Sequence, residues 1–365
     1  MIVITETEFI GHLTDELLSI ERFSKEDVYS TFEKYVQNKE LLRMCVNYGE
    51  LHFDYVKYQT IFKDTLFEIG IGEVLKLTQQ AYSISPQETS KILSQGYKRI
   101  SLGLAQYTQR MWSQSPKIED VRPDVYVKTL FTHIGDMIEN SLKPYLLMIN
   151  ELRGVVVGKP ATQKKLGSIV DVLMQYNPIF KGLYSELLLG ITVSQWRNIS
   201  DHGDYKYTMS GVEIEYGPEN QKKKKILAKD DLGCIFIAID SLLYMHKTAR
   251  TLLSIEYHGC YSTEEGINEK SLYTKQDDNM MQMVETAYAY GLTVQKVALN
   301  KTPIQIEVNQ YLTNISRENL KLYVEIMVLN LNKPFTMWVY RKGQVEYTVK
   351  YSGEKVVVFS YIVKE

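Results

Sequence analysis

The stretch from Phe180 to His202, FKGLYSELLLGITVSQWRNISDH, decides how this chain folds. Phe180, Leu183, Tyr184, Leu187, Leu188 and Ile191 share one stripe at helical spacing, and Leu189, Val193 and Trp196 share another. A helix that is apolar on more than one side belongs in the middle of a bundle, so one central helix is expected from Phe180 to Asp201. Gly203 follows, and glycine reaches the positive φ that closes a helix at little cost. His202 is therefore expected at the last or nearly last helical position.

Working outward, three more bundle helices are predicted. Val127 to Leu152 carries Leu130, Ile134 and Ile138 at helical spacing, with Pro144 kinking or dividing it. Thr162 to Gln175 lies between Pro160 and Pro178, and Asp230 to Glu256 opens with acids and continues with Leu232, Ile235, Ile239 and Leu242. Ahead of them, Glu6 to Gln114 is helical in pattern, with Ser85 offered as an N-cap and many tyrosines suited to half-buried faces. SQSPKIEDVRPDV (Ser113 to Val125) and YHGCYSTEEGINEKSLYTKQDD (Tyr257 to Asp278) read as linkers.

Beyond the second linker a helix is expected from Met280 to Tyr290, and then the period changes to two. Ile304, Ile306 and Val308 alternate with Gln305, Glu307 and Asn309; Val324, Ile326 and Val328, FTMWVY, QVEYTVKY and KVVVFSYIV continue the pattern around Lys342-Gly343 and Ser352-Gly353. That predicts an antiparallel meander with one buried face. The fold class is mainly α, in three regions: N-terminal helices over 1–115, a helical bundle over 124–258, and an α+β domain with an antiparallel sheet over 275–365.

Composition narrows the function classes. The 42 lysines and arginines nearly balance 44 aspartates and glutamates, so no global field attracts nucleic acid or membrane, and any anionic partner must be met locally. Cys45, Cys234 and Cys260 offer neither a disulfide framework nor a CxxC zinc site. The opening MIVITETEFIGHL lacks a basic n-region, and no run of membrane-spanning length is expected, which points to a cytoplasmic protein without a membrane partner. The sequons at Asn198, Asn300 and Asn314 then carry no meaning.

The end of the central helix concentrates the chemistry. Arg197 supplies a permanent planar cation that grips phosphate at two points, His202 brings the residue type that ordinarily titrates near neutral pH, and Asn198 can both donate and accept. Residues five apart on a helix differ by roughly 140° in direction, so Arg197 and His202 cannot point the same way unless the last turn loosens or a second molecule completes the site. The alternative reading is structural: an Arg197 to Asp201 ion pair at i,i+4, with a histidine cation capping the last carbonyls.

Arg197-Asn198-x-x-x-His202, followed by glycine and an aromatic on the third helix of a four-helix bundle, resembles the signature of the HEPN superfamily. The resemblance covers Asp124 to His258. It implies a HEPN-like four-helix bundle and a metal-independent endoribonuclease of a bacterial toxin, abortive-infection or antiviral-defence system, without a cofactor. In that family two protomers line a cleft at their interface and cut RNA by internal attack of the 2′-hydroxyl. Carried over, His202 would move the proton, Arg197 would stabilise the scissile phosphate, and Asn198 would orient one of them. RNA is then the substrate, a homodimer the assembly, and an antitoxin or sensor a further partner, with the C-terminal domain as a sensor, inhibitor-binding or substrate-presenting module. One subgroup carries a tyrosine two residues after the histidine; this chain has Asp204 there and Tyr205 next. Non-catalytic HEPN-like bundles that bind a protein or nucleotide are the competing class.

Other signals carry less. Lys222, Lys223, Lys224 and Lys225 lie within the hairpin sequence GVEIEYGPENQKKKKIL and are either a solvated tip or contacts to an RNA backbone. GVVVGK (Gly154 to Lys159) is one residue short of a phosphate loop and has Pro160 where a hydroxyl is required. His52, His133, His246 and His258 stand singly and read as structural, and Asp277-Asp278 as a helix start; no metal is expected.

Overall fold

A computed structural model of the chain describes residues 23–47, 51–114, 122–258, 260, 292–298, 303–310, 320, 323–324, 334–341, 344–352 and 356–360. They are mainly helical and fall into two compact units. One holds Lys34–Asn38 and the described part of Ile61–Asn268; the other holds the described parts of Glu6–Glu33, Lys39–Thr60 and Glu269–Glu365. The expected N-terminal region over 1–115 is therefore divided. Its later helices join the bundle, while α1 (Lys25–Phe32), α2 (Lys39–Asn47) and α3 (His52–Lys57) go with the C-terminal strands. Amphipathic spacing shows that a helix has a face to bury and is silent about what covers it.

The first unit begins with α4 (Leu66–Ile84) and α5 (Pro86–Gln114), followed by α6 (Pro123–Asp136) and α7 (Lys143–Val156). A π-turn, Met137–Leu142, joins α6 to α7, with Pro144 in the first turn of α7. Proline has no N–H to give the carbonyl of Asn140. Helix α5 comes in against that carbonyl at Gly103, where a Cβ would stand 1.9 Å from Asn140 O and 3.3 Å from Pro144 Cγ. Only glycine permits the approach.

Next come α8 (Leu166–Tyr176), α9 (Pro178–Tyr184), α10 (Val193–His202) and α11 (Lys229–Glu256). The single helix expected from Phe180 to Asp201 is thus two. Leu189 and Gly190 take positive φ values of 61° and 76° after a short 3-10 turn, Glu186–Leu188. Helix α10 then restarts from a reciprocal cap: Gln195 N–H donates to Thr192 Oγ1 (3.3 Å) and Thr192 N–H to Gln195 Oε1 (2.9 Å). The Leu189-Gly190 turn and the Thr-x-x-Gln box prevail over an apolar spacing that runs on unbroken. Trp196, fully buried, donates from Nε1 to Leu188 O at 3.2 Å and ties the new helix to the break.

Between α10 and α11 the chain forms an antiparallel sheet of β1 (Tyr205–Thr208), β2 (Gly211–Tyr216) and β3 (Lys223–Leu227), with Val212, Ile214 and Leu227 buried. Helix α4 packs against α7, α9 and α11, and α10 against α6, α8 and β2. Contrary to the expectation of no spanning-length run, Asp231–Glu256 within α11 is long and apolar enough to cross a membrane by length and composition; 67% of that window is buried, as befits a core helix. At the centre, Tyr184 Oη and His246 Nε2 lie 3.1 Å apart, with the Tyr145 ring stacked at 5.9 Å from the imidazole.

The second unit carries a five-stranded sheet in sequential order: β4 (Leu292–Ala298), β5 (Ile304–Gln310), β6 (Phe335–Arg341), β7 (Gln344–Tyr351) and β8 (Val356–Ser360). Ile304, Ile306, Val308, Phe335, Met337 and Val339 fill one face, as the alternation requires, and Phe23 packs on them. The sheet is mixed rather than an antiparallel meander, because β5 and β6 run parallel. Parallel neighbours need a crossover of a dozen or more residues, which the chain between Gln310 and Phe335 supplies. Val324, expected in a strand, is helical and buried in that crossover, as is Tyr323 beside it. Period-two alternation fixes which residues face inward and leaves strand direction open. Residues 1–22, the helix expected over Met280 to Tyr290 and the second linker from residue 261 onward lie outside the described residues.

Candidate functional site

Helix α10 stays regular to its end. Gly203, at φ 69°, takes the left-handed cap, and both its N–H and that of Asp204 (3.1 Å) are donated to Ile199 O. Backbone groups therefore satisfy that carbonyl, and the imidazole of His202 is left exposed. The chain turns at once into β1, where the Tyr205 ring stacks on Phe131 of α6 at 4.0 Å and 14°. Burial raises the pKa of that phenol.

Arg197 lies one turn and a half earlier, its side chain 30% exposed. Its Nε–H donates to Glu139 Oε2 (3.1 Å), and Asp201 Oδ2 lies 2.8 Å from the same nitrogen as an ion pair. Its Nη1 donates to Asn198 Oδ1 at 3.3 Å. Half of the structural alternative is thus present, the Arg197 to Asp201 pair, while the imidazole takes no part in closing the helix. Asn198 is exposed and meets the arginine, as the resemblance allows.

Two features explain why Glu139 reaches Arg197. Helices α6 and α10 run antiparallel here: Gly135 faces Ser200 and Asp201, and four residues further along Glu139 faces Arg197. A Cβ on Gly135 would lie 3.0 Å from both Ser200 Cβ and Asp201 Oδ1, tighter than ordinary contact, so glycine sets the spacing of the two helices. Lys143 pairs with the other oxygen of Glu139. Glu139, Lys143 and Gly135 did not stand out in the sequence. The Glu139-x-x-x-Lys143 pair beside Pro144 was the available signal.

The four lysines do not form an open basic patch. Lys222 Nζ pairs with Asp204 Oδ1 (3.4 Å) and Glu215 Oε2 (3.8 Å), which brings it beside the end of α10 despite its distance in sequence. Lys224 lies across the sheet against Glu215 and Glu213, and the hydrogen bond to Glu215 is the first cause of a pKa pushed up to about 12. Lys225 donates to Leu189 O at 3.3 Å, and Lys223 is exposed. His52, His133 and His246 are buried. Among the described residues no group of three or more His, Cys, Asp or Glu side chains is placed to hold a metal ion.

Known families, characterised proteins and solved structures offer no match to this chain. The functional reading stands on the residues around Arg197 and His202.

Proposed function

We propose that this chain is a HEPN-type endoribonuclease that cuts RNA at a site formed where two copies bring the ends of α10 together. The observation that carries the reading is that His202, the last helical residue, is left in solvent by a cap made from backbone alone. It lies close in sequence to an arginine whose terminal nitrogens have, among the described residues, only Asn198 as a partner. An imidazole in solvent can pass a proton to or from a ligand, and an open guanidinium edge can meet a phosphate. In the reaction the ribose 2′-oxygen bonds to phosphorus, the bond to the 5′-oxygen breaks, and His202 moves the proton between them. Arg197 offsets the charge that grows on the phosphate, with Asn198 holding the guanidinium. The products are a 2′,3′-cyclic phosphate and a 5′-hydroxyl. No metal or cofactor takes part in the proposed step.

In this reading α6 with α7, α8, α9 with α10, and α11 stand for the HEPN bundle, and Lys222 and Lys223 are the contacts nearest a bound RNA backbone. Toxin or antiviral defence in the bacterial cytoplasm is the setting, and an antitoxin or sensor acts through the second unit. The test is incubation of purified protein with single-stranded RNA in excess EDTA. Cleavage leaving cyclic-phosphate ends is expected, with Arg197→Ala and His202→Ala each lowering the rate roughly 10²- to 10⁴-fold. Cleavage that neither change affects rejects the assignment.

One observation favours a second reading. Two carboxylates on Arg197 weaken its pull on an anion, which suits a non-catalytic bundle binding a protein or nucleotide partner. RNA or a partner held without strand scission would select it.

A further inference from the structure

We propose that Glu139 is a positioning residue of this site: from the π-turn it fixes the Nε side of Arg197, so that the arginine meets phosphate with its two terminal nitrogens. The proposal rests on the ribonuclease reading of the α10 terminus.

A guanidinium offers an oxyanion two kinds of fork, one made by Nε and an Nη together, the other by the two Nη atoms. The single Nε–H of Arg197 is already taken by Glu139 at 3.1 Å, and Asp201 pairs with the same nitrogen at 2.8 Å. Only the end-on fork remains, and its Nη1 is steadied by Asn198. The two carboxylates differ in what they fix. Asp201 rides on the same helix as Arg197, one turn on, and moves with it. Glu139 belongs to another element and ties the guanidinium to the α6–α7 rod.

The local fold is arranged for that reach. A π-turn admits an extra residue and rotates the succeeding side chains by roughly 100° about the axis, and Glu139 lies within it. Gly135, one turn before, allows α10 to approach. Lys143, one turn after, binds the second oxygen of Glu139 and so aims Oε2 at Arg197. Lys143, Glu139, Arg197 and Asp201 alternate in sign and sum to zero charge, so the carboxylates do not leave a net negative centre where the phosphate arrives. At about 30% exposure each, Arg197 and Glu139 are open enough to meet substrate and enclosed enough to be held.

The experiment measures kcat and KM for single-stranded RNA with the full chain and its Glu139→Ala, Glu139→Gln and Arg197→Ala variants. Glutamine keeps an oxygen that accepts from Nε. The expected pattern is a roughly 10- to 100-fold fall in kcat for Glu139→Ala with little change in KM, and recovery of most of the rate in Glu139→Gln. If Glu139→Ala does not fold, Lys143→Met carries the test, since it frees the carboxylate from its anchor; a fall in kcat supports the proposal and an unchanged kcat overturns it. A Glu139→Ala enzyme as fast as or faster than the intact chain, alongside an inactive Arg197→Ala, overturns the positioning role and leaves the ribonuclease reading standing. An intact chain that does not cut RNA, or cutting that ignores Arg197→Ala, removes both.

Discussion

Two histidines in one bundle have opposite surroundings. His246 sits at the centre of α11, fully enclosed, its Nε2 against Tyr184 Oη and its pKa lowered by burial to about 3. His202 ends α10 with its ring in solvent. The first is a neutral packing group across the whole physiological range; the second is open to solvent and to a ligand. Place in the fold, rather than residue type, separates a core group from a candidate for proton transfer, and it does the same for the cations. Lys224 is tied to two glutamates of its own sheet, whereas Arg197 keeps one edge open.

The sharpest way to break that contrast is to exchange the roles by mutation. His202→Ala is expected to remove RNA cleavage by roughly 10²- to 10⁴-fold, and His246→Leu to leave the rate per folded molecule unchanged, as read by single-turnover assays normalised to folded protein. A cleavage rate that follows His246 instead would invert the assignment.

Acid stability comes next in size. An unfolded chain protonates its histidine near pH 6.5, while the buried His246 does so only at about 3, so acid favours unfolding. Stability from this group is complete above pH 6.5 and declines from there toward pH 3, by roughly 2–3 kcal/mol over the first two units. Denaturant unfolding between about pH 7 and 4.5 should show that slope, and His246→Leu should lose it while His202→Ala keeps it. His52 acts in the same direction within the second unit, burial being the first cause of a value of about 4.

The two close-approach glycines give the smallest effects. Gly103→Ala drives a methyl into the Asn140 carbonyl of the enclosed core and is expected to cost about 1–3 kcal/mol. Gly135→Ala meets Ser200 and Asp201, whose side chains can yield by a few tenths of an ångström, and is expected to cost under about 1 kcal/mol. Thermal melts compare them directly; equal losses would mean that the site is as tightly packed as the core.

Legibility in the sequence tracks the range of the forces involved. The end of α10 was readable because glycine at a helix terminus is a local requirement, and the inward faces of β5 and β6 because alternation is local too. The break at Leu189-Gly190 was hidden beneath a continuing apolar stripe, although Gly190 and the Thr192-Gln195 box marked it. The parallel pairing of β5 with β6 and the assignment of residues 66–114 to the bundle depend on which surfaces meet, and no short spacing encodes that. Arg197, Asn198 and His202 stood out by residue type and order. Glu139 did not, because its partner lies 58 residues away and is met only through the π-turn and the Gly135 contact.

The proposed site takes its arginine and its histidine from two copies of the chain. Mixing Arg197→Ala protein with His202→Ala protein, each inactive alone, tests it in one assay of RNA cleavage after subunit exchange. Restored cutting in the mixture, approaching a fixed fraction of the intact enzyme as mixed dimers form, is the predicted result. Mixed dimers that assemble and stay inactive would contradict a shared site.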